Sequence, residues 1–330
     1  MHSHAGAWEQ VYIYYANCSE FLLLVGIIEE IIIQLKGNDM KWKGGRKSTN
    51  VDDRRATSGS GGRGMPSMGT MMMIWPIIKP LLKTKLGWAI IGLGAAAYFA
   101  GFNPLALLGV GGGASAPVNQ VQDDKNAAFI STVLASTEDV WKKELRGYTE
   151  PKMVLYRGST RSGCGHASAQ MGPFYCPADQ KVYLDLGFFD ELANRHNAPG
   201  DFAQAYVLAH EIGHHIQNLQ GTLSKVQKAK QSWGGNSTKS NALQVKVELQ
   251  ADCYAGAWAY HAHKDFNILE PGDVEEALRA ASSIGDDTLQ REATGRVRPD
   301  GFTHGTSAQR VEWFRRGFRS GDIRQCDTFK

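Results

Sequence analysis

Apolar positions fall into distinct patterns along this chain. Over residues 86–110, "LGWAIIGLGAAAYFAGFNPLALLGV", they run almost unbroken, and no charged residue occurs between Lys85 and Asp123. About 20 apolar residues cross a bilayer as a helix, so one transmembrane helix is predicted here. Over residues 21–35, "FLLLVGIIEEIIIQL", Glu29 and Glu30 interrupt the run. That pattern predicts an amphipathic, surface-bound helix and not a second span. Residues 71–82, "MMMIWPIIKPLL", are compatible with lying against a membrane surface.

The rest of the chain alternates short strands with helical periodicity. "KMVLYRG" (152–158) reads as a strand, and "PFYCPADQKVYLDLGFF" (173–189) as two short strands around a turn at Ala178–Asp179. Residues 123–146 have helical spacing, with a break expected at Ser136–Thr137, where Thr137 would cap a second helix. A helix from Asp201 to Leu219 follows Pro199 and stops before Gly221. Residues 222–240 read as a polar connection, and a second long helix runs from Asn241 to His263. Further helices are expected at 272–283 and 306–318, and no internal repeat is visible. The predicted class is α+β: a small mixed sheet packed on the 201–219 helix and its neighbours.

Charge sharpens this organisation. A net charge of +3, with no basic stripe carrying interleaved aromatics in the C-terminal two thirds, does not point to a nucleic-acid partner. Bases cluster before the apolar run, from Lys41 to Lys85, and none follows until Lys125. The positive-inside rule then puts the N-terminus in the cytoplasm and residues 111–330 outside it. The expectation is a single-pass protein of the cytoplasmic (inner) membrane with a periplasmic or extracytoplasmic domain. Its parts are an extension at 1–39, a basic cytoplasmic segment with a linker at 40–85, the span at 86–110, a linker at 111–122 and the domain at 123–330. Met40 opens a distinct basic stretch, "MKWKGGRKSTNVDDRR", and is expected to be the native start.

Four of the five cysteines, Cys164, Cys176, Cys253 and Cys326, lie after residue 160. Four cysteines allow three connectivities, and their number alone is equally compatible with free thiols. An extracytoplasmic domain favours disulfides. Cys164 and Cys176 bracket a Gly-rich loop and are the easiest pair to close; Cys164–Cys176 with Cys253–Cys326 is the preferred set.

The chemistry lies in "VLAHEIGHHIQ" (207–217), which contains the pattern H-E-x-x-H. Positions four apart share a helix face, so His210 and His214 can reach one ion. Zinc takes imidazole nitrogen, and catalytic sites commonly keep three protein ligands. Glu211, about 100° around the helix, can act as general base without being a ligand. Gly213 between the histidines weakens a helix and signals a close backbone or ligand approach. "VELQADCYAGAWA" (247–259) supplies Glu248 as the third ligand. Asp252, one turn on, can accept a hydrogen bond from the far nitrogen of a ligand histidine. In "PDGFTHGTSAQRVEWF" (299–314), His304 can donate to a developing oxyanion, or serve a purely structural bond. Arg310 can pair with Asp252 or another buried acid. Tyr183 is a weaker oxyanion candidate, His215 is read as structural or exposed, His261 as a poor alternative ligand, and His166 has no assignable partner.

These residues resemble the bacterial family described as "Putative neutral zinc metallopeptidase". The resemblance is carried by "KWKGGRKSTNVDDRR", "GPFYCPADQKVYLDL", "AHEIGHHIQNLQG", "ELQADCYAGAWA", "IGDDTLQ" and "DGFTHGTSAQRVEWF", which spread from Met40 to the C-terminus. It implies a zincin-like zinc-binding domain on one membrane anchor. The wider likeness is to gluzincins, thermolysin-like enzymes whose third ligand is a glutamate followed four residues later by an aspartate; here those positions are Glu248 and Asp252.

The expected function is a zinc-dependent metalloendopeptidase acting on a protein or peptide substrate, with Zn2+ as cofactor and Glu211 as general base. The strand around Val182–Leu186 would border the cleft and pair with extended substrate. The rival is a catalytically inert zincin-fold envelope protein that keeps zinc for a structural or partner-docking role. Glu211 argues against it, because a structural zinc has no need of a base beside it.

Overall fold

A computed structural model describes residues 40–56, 79, 84, 119–196, 198–235 and 237–330. Four strands form a mixed sheet: β1 (Val51–Asp53), β2 (Lys152–Tyr156), β5 (Phe174–Cys176) and β6 (Lys181–Asp185). Their order is β1-β2-β6-β5. β1, β2 and β6 run parallel, and β5 pairs antiparallel with β6. β2 and β6 are buried over most of their length, as "MVLY" and "VYLD" require, so no face is left for water. A separate hairpin, β3 (Ser159–Ser162) with β4 (Gly165–Ser168), follows β2. The Cys164–Cys176 disulfide ties this hairpin to β5.

The helices among the described residues are α1 (Gln120–Glu144), α2 (Gly187–Asn194), α3 (Asp201–Leu219), α4 (Thr222–Ser232), α5 (Thr238–Phe266), α6 (Asp273–Ser283), α7 (Asp286–Thr294) and α8 (Ser307–Ser320). The class is α+β, as the periodicity implies. Main-core side chains from α1, the sheet, α3, α5, α6 and α8 meet around Trp141, Phe202, Tyr206, Trp258 and Phe314. α5 and α8 cross with almost no gap. A Cβ on Gly317 would stand 1.9 Å from the Cys253 carbonyl oxygen, and one on Gly256 would stand 2.0 Å from that of Phe314. The Cys253–Cys326 disulfide then fastens the C-terminus to α5.

Three expectations need correction. α1 does not break at Ser136–Thr137: the buried Thr137 hydroxyl donates to the Leu134 carbonyl within the continuing helix at 2.7 Å. Residues 222–240 are not merely a connection, since α4 occupies Thr222–Ser232. Residues 40–56 are not a segment apart from the domain. Met40 is buried in the core, Lys41 N–H donates to Ile268 O at 2.8 Å, and Trp42 packs edge-on against Phe129 at 5.4 Å. Asn50 and Ser48 both donate to Glu138 of α1, β1 extends the sheet, and Arg55 pairs with Asp123.

Residues 40–56 and 119–330 share one core and one sheet. The expected span at 86–110, the helix at 21–35 and, Lys79 apart, the segment at 71–82 lie outside the described residues. Among the described residues no helix is long and apolar enough to cross a membrane.

Candidate metal centre

Helix α3 is apolar on nearly every face: Phe202, Ala205, Tyr206, Leu208, Ala209, Ile212 and Ile216 are buried. Such a helix belongs to a core, and polar side chains on it need partners. His210 and His214, one turn apart, converge on one carboxylate oxygen. Glu248 Oε2 lies 3.2 Å from His210 Nε2 and 3.4 Å from His214 Nε2. Tetrahedral ligands at about 2.0–2.1 Å from one zinc ion stand about 3.3–3.4 Å apart. Two imidazoles and a carboxylate at this spacing fit that ion. Glu211 stands beside them: one donor atom from each of His210, Glu211 and His214 lies within 4.8 Å of the others.

Glycine makes the convergence possible. A Cβ on Gly213 would stand 3.0 Å from both Cα and O of Ala251, tighter than ordinary contact. The close approach signalled by Gly213 is therefore to the backbone of α5. It brings Glu248 beneath the two histidines.

Each ligand is oriented from behind. Asp252 can only accept, so His210 Nδ1 carries the proton and donates to Asp252 Oδ1 at 2.8 Å. With Nδ1 engaged by Asp252, Nε2 is the ring atom that faces Glu248. Arg310 grips Asp252 from the other side, Nε to Oδ2 at 2.9 Å and Nη2 to Oδ1 at 3.0 Å, and Tyr206 donates to Oδ1 at 2.6 Å. His214 Nδ1 faces Gln217 Oε1 at 2.9 Å, and Gln217 in turn donates to Val247 O at 2.7 Å. Gln244 donates to Glu248 Oε1 at 2.8 Å, which holds the carboxylate with Oε2 toward the imidazoles.

The electrostatics follow from burial and these pairs. Burial disfavours the charged form of His210, but the Asp252 and Glu248 carboxylates outweigh it and raise the imidazole to about 9. His214 is raised in the same way, chiefly by Glu248. Burial would raise Glu248, yet the imidazoles of His214 and His210 hold it well below the usual carboxylate range. Glu211 is raised by burial, against the pull of the same two imidazoles. The centre keeps its inner carboxylate ionised and favours positive charge between its ligands.

The four side chains form the floor of a cleft of about 550 Å³. Phe174 and Tyr175 of β5, Phe188 and Leu289 line its walls, and His304 stands at its side. His304 is half-exposed; its Nδ1 faces Asp286 Oδ1 at 3.1 Å. Asp286 Oδ2 also accepts the backbone N–H groups of Thr303, His304 and Gly305.

Two sequence expectations fail at the cleft. Tyr183 is buried outside it, stacked on Phe174, with its hydroxyl donating to Asp179 at 2.6 Å. The strand at Val182–Leu186 is no edge: β6 is paired on both sides, with β2 and β5. The open edge beside the cleft belongs to β5. His215 is buried and structural, with Nε2 on Thr149 O at 2.6 Å. His261 faces Gly321 O, and His166 is exposed on β4. All four late cysteines are in disulfides, so Cys253 offers the centre no thiolate.

Sequence reasoning missed Gln217, Gln244, Tyr206 and Asp286. Three of them sit at helical spacing from a ligand: Gln217 three after His214, Gln244 four before Glu248, Tyr206 four before His210. That spacing was the available signal.

Known proteins bear on these residues directly. The chain matches the family described as "Putative neutral zinc metallopeptidase" over residues 40–329. It belongs to that family. Among its relatives is "Uncharacterized protein YpfJ" of Escherichia coli K12, 46% identical over 302 residues, which cover 88% of this chain and 99% of that protein. "Uncharacterized protein Rv2575" of Mycobacterium tuberculosis H37Rv is 46% identical over 204 residues, 59% of this chain and 67% of that protein. No solved structure matches the chain.

Proposed function

We propose that this metallopeptidase-family protein is a zinc-dependent endopeptidase with a zincin-like domain. The observation that carries the reading is the convergence of His210, His214 and Glu248 with Glu211 beside them on the floor of an open cleft. A structural zinc site is usually closed by four protein ligands, whereas three ligands facing a cleft suit catalysis.

His210, His214 and Glu248 would hold the ion. Zinc, when bound, supplies Lewis acidity, acidifying water and polarising a carbonyl. Glu211, raised by burial, takes a proton from the attacking water and returns it to the leaving amine. His304, held through Nδ1 by Asp286, would donate from Nε2 to the developing oxyanion when both ring nitrogens carry protons. The β5 edge pairs with extended substrate, its backbone groups giving affinity without side-chain specificity. N-methylation of a peptide substrate at the residues flanking the cut bond would then lower kcat/KM at least tenfold. Unchanged turnover would remove β5 from the account.

We further propose membrane association through residues 57–118, which contain the long apolar run. Because the domain includes residues 40–56, any crossings within that stretch come in pairs. The two disulfides favour an oxidising compartment for the domain. Protease accessibility of tags at Met40 and Lys330 in sealed vesicles tests this: both tags share one fate, and opposite fates would restore the single-pass topology.

The experiment for the activity is hydrolysis of an unfolded protein by the zinc-loaded chain, set against its Glu211→Gln variant. Glu211→Gln should keep zinc and lose at least about 10²-fold in rate, the usual contribution of a general base. Retained zinc with unchanged, negligible turnover in both proteins would favour the inert alternative.

A further inference from the structure

One imidazole of the cleft wall belongs to none of the hydrogen-bond chains around the metal centre. His196 follows α2, and its ring lines the same cleft as His210, Glu211 and His214, with 11% of the side chain exposed. Nδ1 is enclosed and has no hydrogen-bond partner among the described residues. It faces Glu292 Oε2 of α7 at 3.9 Å, beyond hydrogen-bond reach. With Nδ1 enclosed, Nε2 is the nitrogen left to the cleft. The other imidazoles, carboxylates and guanidinium there are engaged: the three metal-ligand candidates with one another, Glu211 with the Tyr175 amide, Arg310 with Asp252, His304 with Asp286, and Glu191 with Arg195. A buried polar atom left without a partner is costly and uncommon.

Backbone anchors fix where this ring stands. Arg195 N–H donates to Glu191 O at 2.8 Å, and His196 N–H to the same oxygen at 3.4 Å. Two residues on, Ala198 N–H donates to Leu192 O at 3.1 Å, and Ala198 is part of the core. The facing helix is seated less deeply: of the nine residues of α7, Asp286 alone is buried. Leu289, which lines the cleft, and Glu292 stand three apart on α7 and share a face. An approach of about 1 Å between α7 and the end of α2 would bring Glu292 within hydrogen-bond reach of Nδ1 and narrow the cleft between them.

We propose that His196 is a substrate-binding residue: its ring hydrogen-bonds a backbone amide group of a peptide in the cleft, while Glu292 of α7 closes on its other nitrogen. The inference rests on the peptidase reading of the cleft. Glu292 can only accept, so Nδ1 donates in that pairing. Nε2 then takes a peptide N–H when the ring is neutral, or donates to a peptide carbonyl when the ring is charged. Either bond is to main-chain atoms, so the contact favours polypeptide in general over any one side chain. Glu292, which acts through the ring, is a positioning residue.

The test uses labelled casein as the unfolded substrate. The zinc-loaded full chain is compared with His196→Ala, His196→Gln, Glu292→Gln and the combination of His196→Ala with Glu292→Gln. KM and kcat are measured for each, with zinc content and Tm. The same substitutions placed in Glu211→Gln give the Kd for casein without turnover. His196→Ala should raise KM and Kd about 3–10-fold, the usual contribution of one hydrogen bond, with kcat changed by less than about twofold. Zinc content should be unchanged, and Tm should stay within about 2 °C. Glu292→Gln should raise KM about twofold and add nothing to His196→Ala, because it acts through the ring. His196→Gln, whose amide can hydrogen-bond from the same place, should recover most of the loss.

Unchanged KM and Kd in His196→Ala would overturn the inference and leave the peptidase reading standing. So would additive effects of His196→Ala and Glu292→Gln, or a loss of zinc and Tm in His196→Ala, which marks a structural residue. If His196→Ala fails to fold, His196→Phe, of similar bulk and without either nitrogen, takes its place. No turnover by the unsubstituted zinc-loaded chain would mark failure of the peptidase reading. Casein binding to that chain which still weakens in His196→Ala would uphold the His196 contact, and absence of any casein binding would overturn both.

Discussion

At the scale of single residues, the centre depends on Asp252. Its carboxylate accepts from His210, Tyr206 and both sides of the Arg310 fork, all buried. Arg310→Met leaves that charge without its main partner and should cost roughly 3–5 kcal/mol in denaturant unfolding. A cost below 1 kcal/mol would mean that Asp252 is neutral there. Asp252→Asn should weaken zinc binding about 10–100-fold in chelator competition, since the far nitrogen of His210 loses its charged acceptor. The same carboxylate sets an acid limit. Burial alone would raise it, but Arg310 and His210 hold it at about 2, against an ordinary 3.8. A depressed carboxyl stabilises above its unfolded value and loses that contribution as pH falls through the folded one. About 2–3 kcal/mol should therefore disappear from the metal-free protein between pH 4 and 2, and urea midpoints for Asp252→Asn should lack this part of the decline. His210, Glu211, His214, Glu248 and Asp252 were legible from spacing, because four-residue steps on a helix specify a common face. Asp286 was not: it meets His304 across a turn, and no periodicity connects a helix start to a loop.

At the scale of elements, backbone contact between helices decides the geometry. Gly256 and Gly317 let α5 and α8 cross where a Cβ would lie about 2 Å from a facing carbonyl, whereas Gly213 has 3.0 Å to α5. Gly256→Ala and Gly317→Ala should therefore destabilise by more than the roughly 1–3 kcal/mol usual for overpacking. Gly213→Ala should fall within that range while shifting Glu248 away from the histidines and weakening zinc binding. Thermal unfolding and metal titration of the three variants check this order, and a larger loss for Gly213→Ala would contradict it. The bounds of α3 were read correctly because its apolar run lies between Pro199 and Gly221. β1 was missed for an equally physical reason. Three residues, "VDD", carry no alternation, and the strand exists only because β2 offers it an edge. The edge role went to the wrong strand because the inner place of β6 comes from its pairing with β2, a distant segment that no local pattern reveals.

At the scale of the whole molecule, Met40 is in the main core and Trp42 and Val51 pack against it, although the composition of their segment reads as a basic stretch. Deleting residues 40–56 should lower Tm by several degrees and expose the apolar surface around Phe129; an unchanged Tm would show that the segment is dispensable. The fold class was legible because alternating strand and helix signals do not depend on long-range pairing. The pairing of Arg55 with Asp123 was not, because a count of charges along the chain carries no partner. The central claim, that this fold is assembled around a zinc-activated hydrolysis, is tested most directly by one measurement. The zinc content of the purified chain and its cleavage of an unfolded protein would be followed together, with and without a chelator and in Glu211→Gln. The account predicts one zinc per chain, cleavage abolished by chelator and restored by zinc, and a zinc-loaded but inactive Glu211→Gln. Cleavage that survives removal of the metal, or equal turnover by Glu211→Gln, would contradict it.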